Sequence, residues 1–178
     1  MKIFQINKKG FTLVETIIYL LIATLLMIII SSLVLSVFKA RRHFIAINDV
    51  NHNARFIVHY LTNRLHNTNT IVDVSPAPEQ FHFYQLPDMR FSIEVLGDDM
   101  VYREGQDIGS GFPDQSTLSP IILNNSNVSV SNLSLIAVDD YRGISNQGIQ
   151  ISFRLTSGTV EKDYSYYQRD FSTFLSIR

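Results

Sequence analysis

The chain has 178 residues, of which 46% are hydrophobic, enough for one buried core with room for a separate appendage. A net charge of −1 without a dense Lys/Arg run offers no general attraction to nucleic acid, and none is expected as a partner. With no cysteine there is neither a disulfide framework nor a thiolate metal site.

In chain order, residues 1–9 are short and polar, with basic Lys2, Lys8 and Lys9, and lead into Gly10 and then Phe11-Thr12-Leu13-Val14-Glu15. Residues 16–38 follow without one charge, Gly or Pro. As a helix this run is about 34 Å long, against a hydrocarbon core of about 30 Å, so it is long enough to cross a membrane. A cleaved secretory signal has an apolar segment of about 7–15 residues followed by a small-residue cleavage site. Here the run is longer, and Lys39, Arg41 and Arg42 follow it, so the segment is expected to be retained.

Residues 9–15, Lys-Gly-Phe-Thr-Leu-Val-Glu, resemble the prepilin peptidase signature of type IV pilin-like precursors: a basic leader, Gly before the cut, Phe after it, and Glu four positions beyond the Phe. The resemblance implies cleavage between Gly10 and Phe11, N-methylation of Phe11, and a role for Glu15 in assembly, neutralising the methylated N-terminus of a neighbouring subunit. The chemistry of the residues agrees with it. Gly10 has no side chain to obstruct a protease. A carboxylate at Glu15, set among Leu13, Val14, Ile17 and Ile18, costs several kcal/mol in an apolar setting unless it is paired or lies at the interface. Charge counting cannot orient the span, because basic residues flank both ends. The resemblance places the leader in the cytoplasm and the bulk of the chain outside, in a single-pass inner-membrane protein that then enters a filament.

No Gly or Pro occurs between Phe11 and Ser75, so the helix is expected to continue to about His66. Past Arg42 it becomes amphipathic, with a stripe at Ile47, Val50, Ala54, Ile57, Leu61 and Leu65. His52, His59 and His66 recur every seven residues on the opposite face, but successive members lie about 10.5 Å apart along the axis, too far for one ion. They read as a solvated face.

From Ile71 onward the period becomes two. Strands are expected at 80–86, 90–96 and 99–104, with a hairpin at Gly97-Asp98 and clean alternation in 149–155 and 171–177. Ser75-Pro76-Ala77-Pro78 reads as the exit from helix to sheet, and 105–120 as a long exposed loop. Tyr164, Tyr166 and Tyr167 read as strand residues. The fold class is α+β and pilin-like: a long N-terminal helix packed on an antiparallel β-sheet domain. The division is leader 1–10, transmembrane or filament-core helix 11–41, amphipathic half 42–70 and β-rich domain 71–178.

No catalytic constellation is found. Gly105-x-x-x-Gly109-x-Gly111 lacks the Lys-Ser/Thr pair and following helix of a phosphate loop. Asp98-Asp99 and Asp139-Asp140 read as turn residues rather than a calcium site, so neither metal nor cofactor is expected. Asn124, Asn127 and Asn132 begin Asn-x-Ser sequons in an Asn/Ser-rich stretch. The distal chain, including 53–65, 101–103 and 127–133, looks like minor pilins and J-type pseudopilins of type II secretion. That resemblance implies sibling pilins, the prepilin peptidase, an inner-membrane platform protein and membrane lipid as partners. A major pilin, a tip adhesin, and more remotely a membrane-tethered enzyme or sensor stay open.

Overall fold

The computed structural model describes residues 12–65, 70–76, 79–85, 89–109, 111–139, 146–158 and 164–176. One helix, α1, runs from Leu13 to Leu65 over 53 residues. Among the described residues eight strands follow: β1 Thr70–Pro76, β2 Glu79–Gln85, β3 Met89–Leu96, β4 Asp99–Gln106, β5 Ile121–Ile122, β6 Val128–Asp139, β7 Asn146–Ser157 and β8 Tyr167–Ser176. A 3₁₀ turn, Gln115–Thr117, lies between β4 and β5. The chain divides into two compact units that meet at Arg41 and Arg42.

The class is α+β, with the second half of α1 packed on antiparallel sheet. Two sheets are present rather than one: a five-stranded sheet in the order β1-β2-β3-β4-β5 and a three-stranded sheet in the order β6-β7-β8. The buried stripe of α1 is Ala46, Val50, Ala54, Ile57, Leu61 and Leu65, so it begins at Ala46, while Ile47 is only half-buried. This stripe meets Phe91, Ile93, Met100 and Tyr102 of the first sheet, and Val130, Leu133, Leu135, Ile149, Ile151, Phe153, Leu155 and Leu175 of the second, in one core. Each large apolar side chain in it adds roughly 1.5–3 kcal/mol over leaving it in water.

Local chemistry explains the strand boundaries. Gly97 turns the β3–β4 hairpin at φ 66°, and Asp98 beside it keeps negative φ, the pattern of a II′ hairpin turn. In β6 the buried positions switch from even (Val128, Val130) to odd (Leu133, Leu135), whereas β7 keeps Ile149, Ile151, Phe153 and Leu155 inward throughout. A bulge between Ser131 and Ser134 reconciles the two, and Asn132 takes φ 53° there, a conformation Asn tolerates better than most residues.

Three expectations change. Ser75 and Pro76 end β1, so this stretch joins two strands rather than helix to sheet; Ala77 and Pro78 lie outside the described residues. Gly105 belongs to β4, not to a loop. A Cβ there would come within 2.8 Å of both Leu118 and Pro113, because the segment after β4 folds back against the strand, so any larger residue must push those side chains aside. Of the three tyrosines only Tyr167 is in a strand; Tyr164 lies in a turn and Tyr166 immediately precedes β8.

Polar groups join the layers where the apolar core cannot. Asn124 is buried; its Oδ1 accepts the Met100 N–H at 2.7 Å, and its Nδ2 donates to the Val128 carbonyl at 2.6 Å and to Asp99 Oδ1 at 2.9 Å. The next residue, Asn125, donates its N–H to Asn53 Oδ1 on α1 at 2.9 Å. Val130 N–H of β6 donates to the Asp98 carbonyl at 2.8 Å, tying the hairpin tip to the second sheet. At the far end of the helix, Tyr102 donates to Glu104 at 2.8 Å, Arg64 approaches Glu104 at 3.4 Å, and Tyr60 meets Tyr102 edge-on. Burial first, and then the hydrogen bond to Glu104, push the Tyr102 phenol well above its ordinary pKa, so it stays a neutral donor. On the other face of β3 and β4, Glu94 and Arg103 form a buried ion pair.

Asn124→Ala leaves the buried Met100 N–H and Val128 carbonyl unsatisfied. It is expected to destabilise the domain by about 2–4 kcal/mol in denaturant unfolding, whereas Asn127→Ala, at an exposed position, stays within about 0.5 kcal/mol. A near-neutral Asn124→Ala would contradict this reading of the polar seam.

Candidate processing and assembly site

Helix α1 starts on a side-chain cap. The Thr12 Oγ1 accepts the Glu15 N–H at 3.3 Å, and the Thr12 carbonyl accepts the Thr16 N–H at 3.2 Å. Thr12 is therefore the N-cap and Glu15 the third helical residue, where a cap hydroxyl satisfies one of the four backbone donors left unpaired at a helix start. Thr-x-x-Glu is the sequence pattern of a capping box, a second meaning of these residues that the reading by processing signature passes over. The Glu15 carboxylate sits in the first turn, where the positive end of the helix dipole favours it by roughly 0.3–1 kcal/mol. Gly10 and Phe11 lie outside the described residues, so the structure gives no geometry for the scissile bond or for a pairing of Glu15 with the Phe11 amine. The helix itself begins at Leu13, two residues past Phe11.

The half of α1 that follows is exposed at every position. Leu13 is 79% exposed, and Met27 and Ile28 are 69% and 70% exposed; no residue from Leu13 to Ile45 is buried. Isolated apolar residues on a surface are ordinary, but a continuous apolar surface of this extent marks a membrane or protein interaction site. The helix is long and apolar enough to cross a membrane. Three of its hydroxyls are bonded to carbonyls of the same helix. Thr16 Oγ1 donates to the Leu13 carbonyl at 2.7 Å, Thr24 to Leu21 at 2.9 Å, and Ser32 to Ile29 at 2.8 Å, so these three hydroxyls need no water.

The other candidate residues are drawn into structural roles or kept apart. His52 and His59 are exposed on α1, and His59 shares a hydrogen bond with Asn63 at 3.2 Å; His66 lies outside the described residues. Among the described residues no three His, Cys, Asp or Glu side chains gather in metal-binding geometry. Asp99 is engaged by Asn124, and the Asp98 carbonyl by Val130. Asp139 closes β6, and Asp140 lies outside the described residues. The Gly109 and Gly111 N–H groups both donate to Asp107 Oδ1, at 2.8 and 3.1 Å, so this glycine-rich segment closes on its own carboxylate. Of the sequon asparagines, Asn124 has its amide nitrogen committed inside the domain, while Asn127 and Asn132 are exposed.

Thr12→Ala removes the cap acceptor, at a cost of about 1 kcal/mol to the first turn. Amide hydrogen exchange at residues 13–16 of the full chain in detergent micelles is expected to quicken severalfold, with Thr12→Ser restoring protection. Unchanged exchange in Thr12→Ala would show that the cap does not hold the turn.

Comparison with known proteins bears on this end of the molecule. No curated protein and no solved structure matches the chain. Residues 6–31 match the prokaryotic N-terminal methylation motif, spanning Gly10, Phe11, Thr12, Glu15 and the first part of the apolar run. The N-terminal segment is thus similar to that of a type IV pilin-like prepilin, which suggests a structural subunit rather than an enzyme.

Proposed function

We propose that this chain is a filament subunit, of the minor pilin or pseudopilin kind, in a type IV pilus or a type II secretion-like filament. The observation that carries the proposal is the wholly exposed apolar half of α1, overlapped by a methylation motif and continuous with a half buried in a folded domain. A prepilin peptidase removes residues 1–10, and the new Phe11 amine is methylated. The precursor waits in the inner membrane through residues 11–41, with leader inside and the domain outside. Sibling pilins and a platform protein then draw the same apolar surface out of lipid and into the filament. Lipid and neighbouring helices are interchangeable covers for it, because neither exposes apolar surface to water.

Glu15 is assigned two tasks at successive stages. In the precursor it sits favourably at a helix N-terminus. In the filament it pairs with the Phe11 amine of another subunit, where losing one member of a buried ion pair costs about 3–5 kcal/mol.

Intact mass of the membrane-extracted protein from cells with an active prepilin peptidase should correspond to a chain starting at methylated Phe11. Glu15→Leu should show the same leader removal yet recover several-fold less sibling pilin in pull-downs at matched expression. A wild-type chain still beginning at Met1 would defeat the processing assignment. Normal processing with equal sibling recovery would defeat the pairing role alone.

A further inference from the structure

The three-stranded sheet ends on an open strand. Among the described residues, β8 pairs only with β7, leaving the other edge of a ten-residue strand without a neighbour. Natural proteins usually guard such an edge, since its free N–H and C=O groups form a template for another strand. Beside it lies a groove of about 510 Å³, formed between α1 and β8.

The groove has a distinct chemistry. Its apolar lining comes from Ala54 and Val58 on α1 and from Phe171 on β8, which stacks on Phe153 of the core. Its charged groups are Arg55 and Arg169, with His59 next to them, and no Asp or Glu among the described residues lines it. Arg55 is exposed and makes no ion pair with any described acid. Arg169 spans from strand to helix, donating to Asn51 at 3.3 Å while its guanidinium lies over the Phe171 ring. The adjacent Asp170 does not neutralise it: that side chain alternates to the opposite face of β8, where Arg154 binds it in a two-pronged pair and holds its carboxyl below the usual range.

From this juxtaposition we infer that the α1–β8 groove receives an extended, carboxylate-bearing segment of another protein chain, added as a strand to the free edge of β8. A strand placed there would sit about 4.8 Å from β8 and direct alternate side chains over Val58 and toward Arg55 and Arg169. Main-chain bonds would supply the docking, and the two arginines would select acidic side chains over basic ones. The inference stands apart from the filament reading and does not depend on it.

The test is fluorescence anisotropy with the full chain in neutral maltoside micelles and a labelled ten-residue peptide alternating Glu with Val or Thr. Saturable binding is expected. It should weaken about tenfold or more when each Glu is replaced by Lys, and by a similar factor when every second backbone nitrogen of the peptide is methylated. Arg55→Glu, a change at an exposed helix position, should also weaken it about tenfold, with Arg55→Lys largely retaining it. No saturable binding would overturn the inference, leaving the arginines as guards of the edge. Equal affinity for the N-methylated peptide would reduce the effect to charge attraction and overturn strand addition. Tighter, Arg55-dependent binding of an oligothymidylate or of phosphatidylglycerol vesicles would give the groove to a different ligand and overturn it as well.

Discussion

An uninterrupted backbone hydrogen-bond ladder is the constraint on which the rest of this molecule depends. Across α1 no Gly or Pro breaks the i to i−4 pairing, the Thr12 cap takes up the Glu15 N–H, and the hydroxyls of Thr16, Thr24 and Ser32 bond to carbonyls of the same helix. That self-sufficiency lets the first half dispense with water. It also makes the second half a rigid rod on which two sheets can close. The same secondary structure is thus read in two ways by two side-chain patterns: apolar on all faces up to Phe38, and apolar along the stripe from Ala46 to Leu65.

The globular unit needs more than this stripe, because two sheets of different size must meet one helix. Apolar side chains supply the common core, but they do not fix which strand faces which. Buried amides do. Asn124 joins the start of β4 to the start of β6, Asn125 reaches Asn53 on the helix, and the Asp98 carbonyl receives β6 directly. These bonds have few geometric solutions, and leaving any of them unmade in a dry interior costs about 1–3 kcal/mol. They account for the Asn124-Asn125 pair better than a sequon does.

Much of this was legible from periodicity. The unbroken helix, its change from an apolar to an amphipathic pattern, the Gly97 hairpin and the odd-numbered inward residues of β7 follow from spacing alone, and the match over residues 6–31 agrees with the processing signature. What escaped has a common cause, in that it depends on contacts between segments distant in sequence. One sheet cannot be told from two by alternation. The parity switch in β6 hides in a bulge at Asn132, and Gly105 resembles a loop glycine until Leu118 and Pro113 are seen against it. The cap was within reach, since Thr12-x-x-Glu15 is a local pattern, but the processing motif occupies the same letters. The α1–β8 groove had no such signal, because Arg55 and Arg169 come together only in the fold.

The central claim is that one helix serves two environments, and the absence of native cysteine makes it directly measurable. Single cysteines placed at Leu20, Leu26, Leu33, His52 and His59 can be reacted with a membrane-impermeant maleimide in isolated membranes opened to both faces. The account requires protection at the first three positions and ready labelling at the two histidine positions. Labelling at Leu20, Leu26 and Leu33 as fast as at His52 would place the apolar half in water and contradict it.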